Sequence, residues 1–381
     1  MQKPEDYVVP KRLQGLQPTL IRQFFERALP GSINFGLGEP DLPTPLFLRE
    51  EAARVTLEEQ NGYTSHAGLV PLREKIAEQY PHLGLTPAEI VVMVGSQEAM
   101  TAAFLSVVDA GDEVLLPNPS FPAYDACVRL AEGKPVYYRL PADRDFAFDI
   151  EEFKSKITPK TKAAVVISPS NPTGKIFTRE DLQGVADCLK DTGIYLISDE
   201  IYSDLYFTGE APASASEYYD KTLIVSGLSK SLSMTGWRLG WLASQQNDVM
   251  KAALTLHGFL TVCTSAISQK ASLLAWTPEA QAAKHESREI YKKRGKYLVD
   301  LFQSELGLRG TSPEGAFYTM VDVRHLGDDI EVAEKFLANR VITVPGVAFG
   351  SEAKGFLRVS FCNTEEKMAE GVKRMKEILE S

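Results

Sequence analysis

Short runs of consecutive apolar residues punctuate the middle of the chain, and between them apolar positions recur at helical spacing. Residues 90–94 (IVVMV) read as a buried strand, and the Gly95-Ser96 turn after them opens an amphipathic helix, GSQEAMTAAFLSVV. Residues 113–117 (EVLLP) predict a second strand, FPAYDACVRLAE a helix, and residues 134–140 (KPVYYRL) a third strand. Residues 162–168 (KAAVVIS) run into the loop PSNPTG and then a helix over 179–190. Two further strands follow at 194–200 (IYLISDE) and 222–227 (TLIVSG), and an apolar run closes the series at 239–243. Apolar strands alternating with helices predict βαβ units, hence an α/β fold with a mainly parallel sheet covered by helices on both faces. Ligands of such sheets lie beyond the carboxyl ends of the strands, which singles out Ser96, Asn171, Asp199 and Lys230.

The pattern changes after about residue 275. A long charged helical stretch, QAAKHESREIYKKRGKYLVDLFQSEL, leads to the short apolar runs GAFYTMVDV, VITVPG and FLRVSF and to an amphipathic last helix, EEKMAEGVKRMKEILE. This predicts a smaller α+β domain. The chain has 381 residues, more than one core commonly spans. The expected division is an N-terminal arm at 1–35 serving a dimer and the small domain, a large domain at 36–280 and a small domain at 281–381. The net charge of −10 argues against nucleic acid or an anionic membrane as partner. Cys127, Cys188, Cys263 and Cys362 lie far apart, which suits a reducing compartment and gives no metal signature. With no apolar leader or membrane-length run, the expectation is a cytoplasmic protein.

The chemistry concentrates at the strand ends. The helix opening at Ser96 offers free N–H groups and a positive dipole end to an anion, although a plain turn capped by Ser96 would look the same. In SPSNPTG two prolines flank Asn171 in a rigid turn, possible with cis bonds. Asp199 ends a buried strand, where an ionised carboxylate needs a partner, and Tyr202 stands three residues on. In TLIVSGLSKSLSMTGWRLGWLAS, Lys230 sits between two buried runs with Arg238 eight residues on. A lysine in a loop is most often solvated, but a desolvated one has a lowered pKa and attacks carbonyls to form a Schiff base.

Together these stretches resemble the class I/II aminotransferases, pyridoxal phosphate enzymes of fold type I. The blocks GLGEPDLPTP, GYTSHAGLVPLREKIA, VGSQEAM, PNPSFPAYDA, SPSNPTGKIF, ISDEIYSDLYF, SGLSKSLSMTGWRLGW, PEGAFY and FLRVSFCN occur in family order over nearly the whole chain. The resemblance implies a large domain with a mixed, mainly parallel sheet between helices, plus the smaller α+β domain. It further implies that Lys230 holds the cofactor aldehyde and that Asp199 pairs with the pyridine nitrogen. Asn171 and Tyr202 would bind the phenolic oxygen, and Phe121 would stack on the ring, with Tyr124 the second choice. The phosphate would fall to Ser96, Gln97 and Arg238, joined by Tyr63 from the other subunit of a homodimer. Arg358 would clamp the substrate α-carboxylate, helped by Gly38 and Asn171. Many members carry a serine where this chain has Gly227, and Ser229 or Ser226 is the expected substitute.

The implied activity is ping-pong transfer of an amino group from an L-amino acid, of aspartate or aromatic/neutral type, to a 2-oxo acid. A carbon–sulfur β-lyase or related synthase is the alternative on the same fold. A pyridoxal-phosphate-sensing regulator would need a DNA-binding domain, and only some thirty residues precede FGLGEPD. A nicotinamide dehydrogenase would need a G-x-G-x-x-G turn after a strand, which is missing.

Overall fold

A computed structural model of the protein describes residues 10–14 and 16–380, apart from the side chain of Lys11. The strands in chain order are β1 (Ile33–Asn34), β2 (Ile90–Met93), β3 (Glu113–Asn118), β4 (Lys134–Arg139), β5 (Thr161–Ile167) and β6 (Tyr195–Asp199). They continue with β7 (Thr222–Gly227), β8 (Gly240–Ala243), β9 (Tyr318–Asp322), β10 (Val341–Ile342), β11 (Val344–Pro345) and β12 (Phe356–Ser360). Seven of them form one sheet in the order β2-β8-β7-β6-β5-β3-β4. All its pairings are parallel except those of β8, which runs antiparallel to both β2 and β7.

Side-chain alternation explains why these strands are apolar on both faces. In β5, Ala163, Val165 and Ile167 enter the main hydrophobic cluster, while Ala164 and Val166 enter a second one on the other face. In β2, Val91 and Met93 join the main cluster, and Ile90 and Val92 join a third. A sheet covered by helices on both sides leaves no face for polar alternation.

The C-terminal part carries a three-stranded antiparallel sheet, β11-β12-β9, and a small parallel pair, β1-β10. The β1 pairing ties the N-terminal segment to this part, with Ile33 opposite Val341. The long charged helix starts three residues before the stretch read from the sequence and runs over Pro278–Leu306. Thr277 caps it, accepting the Ala280 N–H, and Pro278 occupies the first position, where its missing N–H costs nothing. Residues 280 and 281, the expected domain boundary, therefore lie inside one continuous helix. Its first turns bind the large sheet's side through Lys284 and Asp204, 3.0 Å apart. Its later turns pack along the last helix, Glu365–Leu379.

Candidate active site

The carboxyl ends of the parallel strands open into a cleft of about 290 Å³. The cleft brings together Gly38, Ser96, Gln97, Phe121, Asn171, Asp199, Tyr202, Ser229, Lys230, Arg238 and Arg358. Of the site residues singled out from the sequence, Tyr63, Tyr124 and Ser226 stand outside the lining, and Tyr63 is 87% exposed.

Lys230 follows β7 by three residues and is half-buried. Its Nζ donates to the Gly38 carbonyl at 2.7 Å, and among the described residues no carboxylate pairs with it. Burial pulls its pKa down to about 8, the nearby Cys362 and Glu39 offsetting part of the effect. Facing it, Asp199 ends β6 with a carboxyl pushed up to about 6 by burial. The Tyr124 hydroxyl, 2.7 Å from Asp199 Oδ2, and the Ile201 N–H, 3.2 Å from Oδ1, hold that rise in check. The sequence reading offered Tyr124 only as a second ring-stacking candidate. Its hydroxyl serves Asp199 instead, while its ring meets Phe121 edge-on at 5.8 Å.

At one end of the cleft, the helix Ser96–Val107 begins without a side-chain cap, and Gly95, at φ 80°, takes the capping position. The turn capped by Ser96 is thus corrected: Ser96 is the first helical residue, and the first N–H groups stay free to meet an anion. The Arg238 guanidinium lies against Gly95, where a Cβ would come within 2.5 Å of Nη2. Arg238 itself sits in the left-handed region at φ 53°, a strained place for a residue with a side chain. It is held there by bonds to the carbonyls of Thr235 and Val94.

Arg358, on β12, is 1% exposed and lies between two aromatic rings, 4.4 Å from the Tyr318 centroid and 4.7 Å from that of Phe349. It donates to Asn171 Oδ1 at 3.0 Å and to the Gly36 carbonyl, and among the described residues its buried Nε has no partner. Among the described residues no carboxylate is bonded to it, and a buried guanidinium in that state is suited to receive one. Both X-Pro bonds around Asn171 are cis.

Comparison with known proteins shows the family. A family model described as aminotransferase class I and II matches residues 30–375. The chain belongs to the class I and II aminotransferase family. This aminotransferase is 33% identical to a probable aspartate aminotransferase of Methanocaldococcus jannaschii over 98% of this chain and all of the relative. It is 37% identical to a probable aspartate/prephenate aminotransferase of Aquifex aeolicus, covering 91% of each. An aspartate aminotransferase structure from Thermus thermophilus, with maleate, superposes with a TM-score of 0.93 at 32% identity, covering 98% of this chain and 100% of that one. The fold is fold type I, and the enzyme depends on pyridoxal phosphate.

The cleft of this aminotransferase fits that cofactor on its own geometry. It offers an amine of depressed pKa to an aldehyde, a buried carboxylate to a pyridinium, and uncapped helix N–H groups beside Arg238 to a phosphate. Ser229 lines the cleft, whereas Ser226 donates to the Glu200 carbonyl at 3.2 Å and faces a different cavity. That second cavity, of about 690 Å³, is the larger one, but it holds none of Lys230, Asp199 and Arg358. Gly227 leaves no room for a serine, since a Cβ there would stand 2.9 Å from the Leu239 carbonyl.

Sequence reasoning missed Tyr318. Its hydroxyl lies 2.9 Å from that of Tyr202, and a side chain on Gly38 would collide with it. PEGAFY marked the segment, but nothing in the string says that its tyrosine reaches a residue so far back in the chain.

Proposed function

We propose that this aminotransferase moves the α-amino group of an L-amino acid to a 2-oxo acid in two alternating half-reactions, with Lys230 as cofactor anchor and proton carrier. The observation that carries this reading is a half-buried amine, bonded among the described residues only to a carbonyl, in the same cleft as Asp199, Arg238 and Arg358. Bound pyridoxal phosphate supplies an aldehyde that condenses with amines and a ring that absorbs the electron pair left when the α-proton departs. Lys230 Nζ, poised near pH 8, serves as the base for that proton and later returns it. Asp199 keeps the pyridine nitrogen protonated, and Tyr124 keeps Asp199 ionised. Asn171 and Tyr202 orient the phenolic oxygen, and Phe121 covers the ring. Ser96, Gln97, Ser229 and Arg238 hold the phosphate. Arg358, with Asn171 and the Gly38 backbone, fixes the α-carboxylate so that the α-proton faces the lysine.

We further infer a homodimer in which Tyr63 reaches the phosphate of the partner subunit. Support comes from Tyr63 and Phe259, 87% and 90% exposed, on segments that come together where a Cβ added at Gly258 would stand 3.1 Å from the His66 ring. Leu260 and Val262 extend this apolar face. The division into arm, large and small domains at 35 and 280 is kept as a functional one, the helix Pro278–Leu306 linking the latter two. The four cysteines are unpaired, which supports a cytoplasmic setting, and no helix among the described residues is long and apolar enough to cross a membrane. The relatives' names suggest aspartate or aromatic donors.

The test is a panel of amino donors against 2-oxoglutarate, pyruvate and oxaloacetate with the pyridoxal-phosphate-loaded protein. Oxo-acid-dependent exchange, lost in Lys230→Ala, is the expected result. Release of pyruvate and ammonia from a cysteine thioether without such exchange would point to a β-lyase and overturn the proposal.

A further inference from the structure

The second cavity, of about 690 Å³, is walled by the strand ends that also carry the lysine cleft, yet among the described residues none lines both. Ser168 stands three positions before Asn171, Glu200 follows Asp199, and Ser226, Gly227 and Leu228 lead to Lys230. The helix Pro278–Leu306 adds Gln281, Lys284, His285 and Arg288, whose spacing puts them on one polar face turned to the cavity. Trp241 and Trp276 supply an aromatic wall, with ring centroids 6.2 Å apart, and the Trp241 Nε1–H donates to the Tyr80 hydroxyl at 3.2 Å.

Most charges around this cavity are matched. Asp204 pairs with Lys284 at 3.0 Å, and Glu217 meets Arg179 at 3.5 Å. His82 Nε2 is bonded to the Ser216 hydroxyl at 2.9 Å. Two opposite charges are left over. Glu200 is 7% exposed, and its Oε1 accepts the Ser214 and Ser198 hydroxyls at 2.6 and 2.9 Å, while Oε2 has no hydrogen-bond partner among the described residues. Burial pushes this carboxyl up to about 7, with the two hydroxyls opposing the rise. Arg288 lies over the Tyr206 ring, 4.2 Å from its centroid, and donates to His285 Nδ1 at 2.9 Å; among the described residues no carboxylate is bonded to it. A buried carboxylate without a cation, an arginine without an anion and an aromatic wall together suit a zwitterion with an apolar side chain.

We propose that this cavity is a regulatory binding site for a free α-amino acid with an apolar or aromatic side chain, its ammonium on Glu200, its carboxylate on Arg288 and its side chain on Trp241 and Trp276. Occupancy acts on the lysine cleft through the shared strand ends. The Glu200 N–H donates to the Val225 carbonyl at 2.8 Å, and the Glu200 carbonyl accepts the Ser226 hydroxyl at 3.2 Å. A ligand held by Glu200 therefore bears on the segments that carry Asp199 and Lys230. Coupling between two sites of one protein typically amounts to about 5–150-fold in affinity and is reciprocal. The binding site stands on its own residues, whereas the coupling rests on the cofactor assignment above.

The probe is N,N-dimethyl-L-phenylalanine, a zwitterion whose tertiary amine keeps its charge and cannot condense with an aldehyde. Calorimetry on the pyridoxal-phosphate-loaded protein compares it with N,N-dimethylphenethylamine and hydrocinnamate, each of which lacks one of its charges. The expected result is one probe per chain, bound about tenfold or more tighter than either analogue. Glu200→Gln and Arg288→Gln should each weaken it by about tenfold or more, while Arg358→Lys, in the other cleft, leaves it unmoved. Thermal unfolding shows which variants are folded, and the half-buried Arg288→Gln decides if Glu200→Gln is not. No binding, or binding lost in Arg358→Lys and kept in Arg288→Gln, would overturn the proposal. A second arm titrates pyridoxal phosphate with and without saturating probe, and a change in affinity of about fivefold or more is expected. An unchanged affinity with probe bound would overturn the regulatory role. A protein that binds the probe but no pyridoxal phosphate would instead overturn the cofactor assignment and leave the second site standing.

Discussion

Replacing Tyr124 by phenylalanine removes one oxygen from the site and keeps the ring that packs against Phe121. The lost bond, 2.7 Å to Asp199 Oδ2, is the principal interaction that opposes burial at this carboxylate. A hydrogen bond to a charged acceptor is worth about 1.5–3 kcal/mol. At 1.36 kcal/mol for each pH unit, its loss raises the Asp199 pKa by roughly one to two units. From about 6, the carboxyl moves to roughly 7–8, so at pH 7 it goes from roughly nine-tenths ionised to half or less. Because the anion is the form that holds a pyridinium, affinity for pyridoxal phosphate at pH 7 should weaken by roughly twofold to tenfold. The acid limb of kcat/KM should move up by about one unit or more. Both are read by cofactor titration and by a pH series of the donor half-reaction. Wild-type affinity together with an unshifted acid limb would refute the claim that Tyr124 keeps Asp199 ionised.

Other substitutions probe the remaining contacts. Arg358→Lys keeps the charge but loses the planar fork that reaches Asn171 and Gly36, so kcat/KM for any α-amino acid should fall about 100-fold; a loss under threefold counts against an α-carboxylate clamp. Gly38→Ala drives a methyl group into the Tyr318 hydroxyl and should lower stability by about 1–3 kcal/mol, measured by denaturant unfolding, and displace the carbonyl that Lys230 uses. Lys230 titrates near 8 when folded against an ordinary value of 10.5. The unfolded chain therefore holds more protons between those values, and stability of the cofactor-free protein gains about 3 kcal/mol as pH rises across that window. Lys230→Met should lack this gain, which thermal unfolding at pH 8 and 10 checks.

The sheet was legible because its strands are buried on both faces and so read as unbroken apolar runs; β2, β5 and β7 stand at or within a residue of the positions that IVVMV, KAAVVIS and TLIVSG indicate. Most of the cleft was legible for a related reason: Asp199 ends a strand, and Ser96, Asn171 and Lys230 follow strands closely, where a parallel sheet gathers its ligand groups. Contacts made across the chain were not. Tyr124 meets Asp199 from 75 positions away, and Tyr202 meets Tyr318 across 116, with no local signal to join either pair. The two-residue strands β1 and β10 are too short for a period to appear. The helix start at Pro278 did carry a signal, the Thr-Pro dipeptide of a capped first turn, which the charged pattern beginning at Gln281 outweighed. Gly95 taking the cap from Ser96 is a matter of one positive φ, invisible in a string where either residue caps well.

The central claim is that one lysine binds the cofactor. Borohydride reduction of the protein loaded with pyridoxal phosphate, followed by proteolysis and mass spectrometry, tests it most directly. One stoichiometric modification is expected, on the peptide that contains Lys230, together with loss of activity. A modified lysine elsewhere, with Lys230 untouched and activity lost all the same, would contradict it.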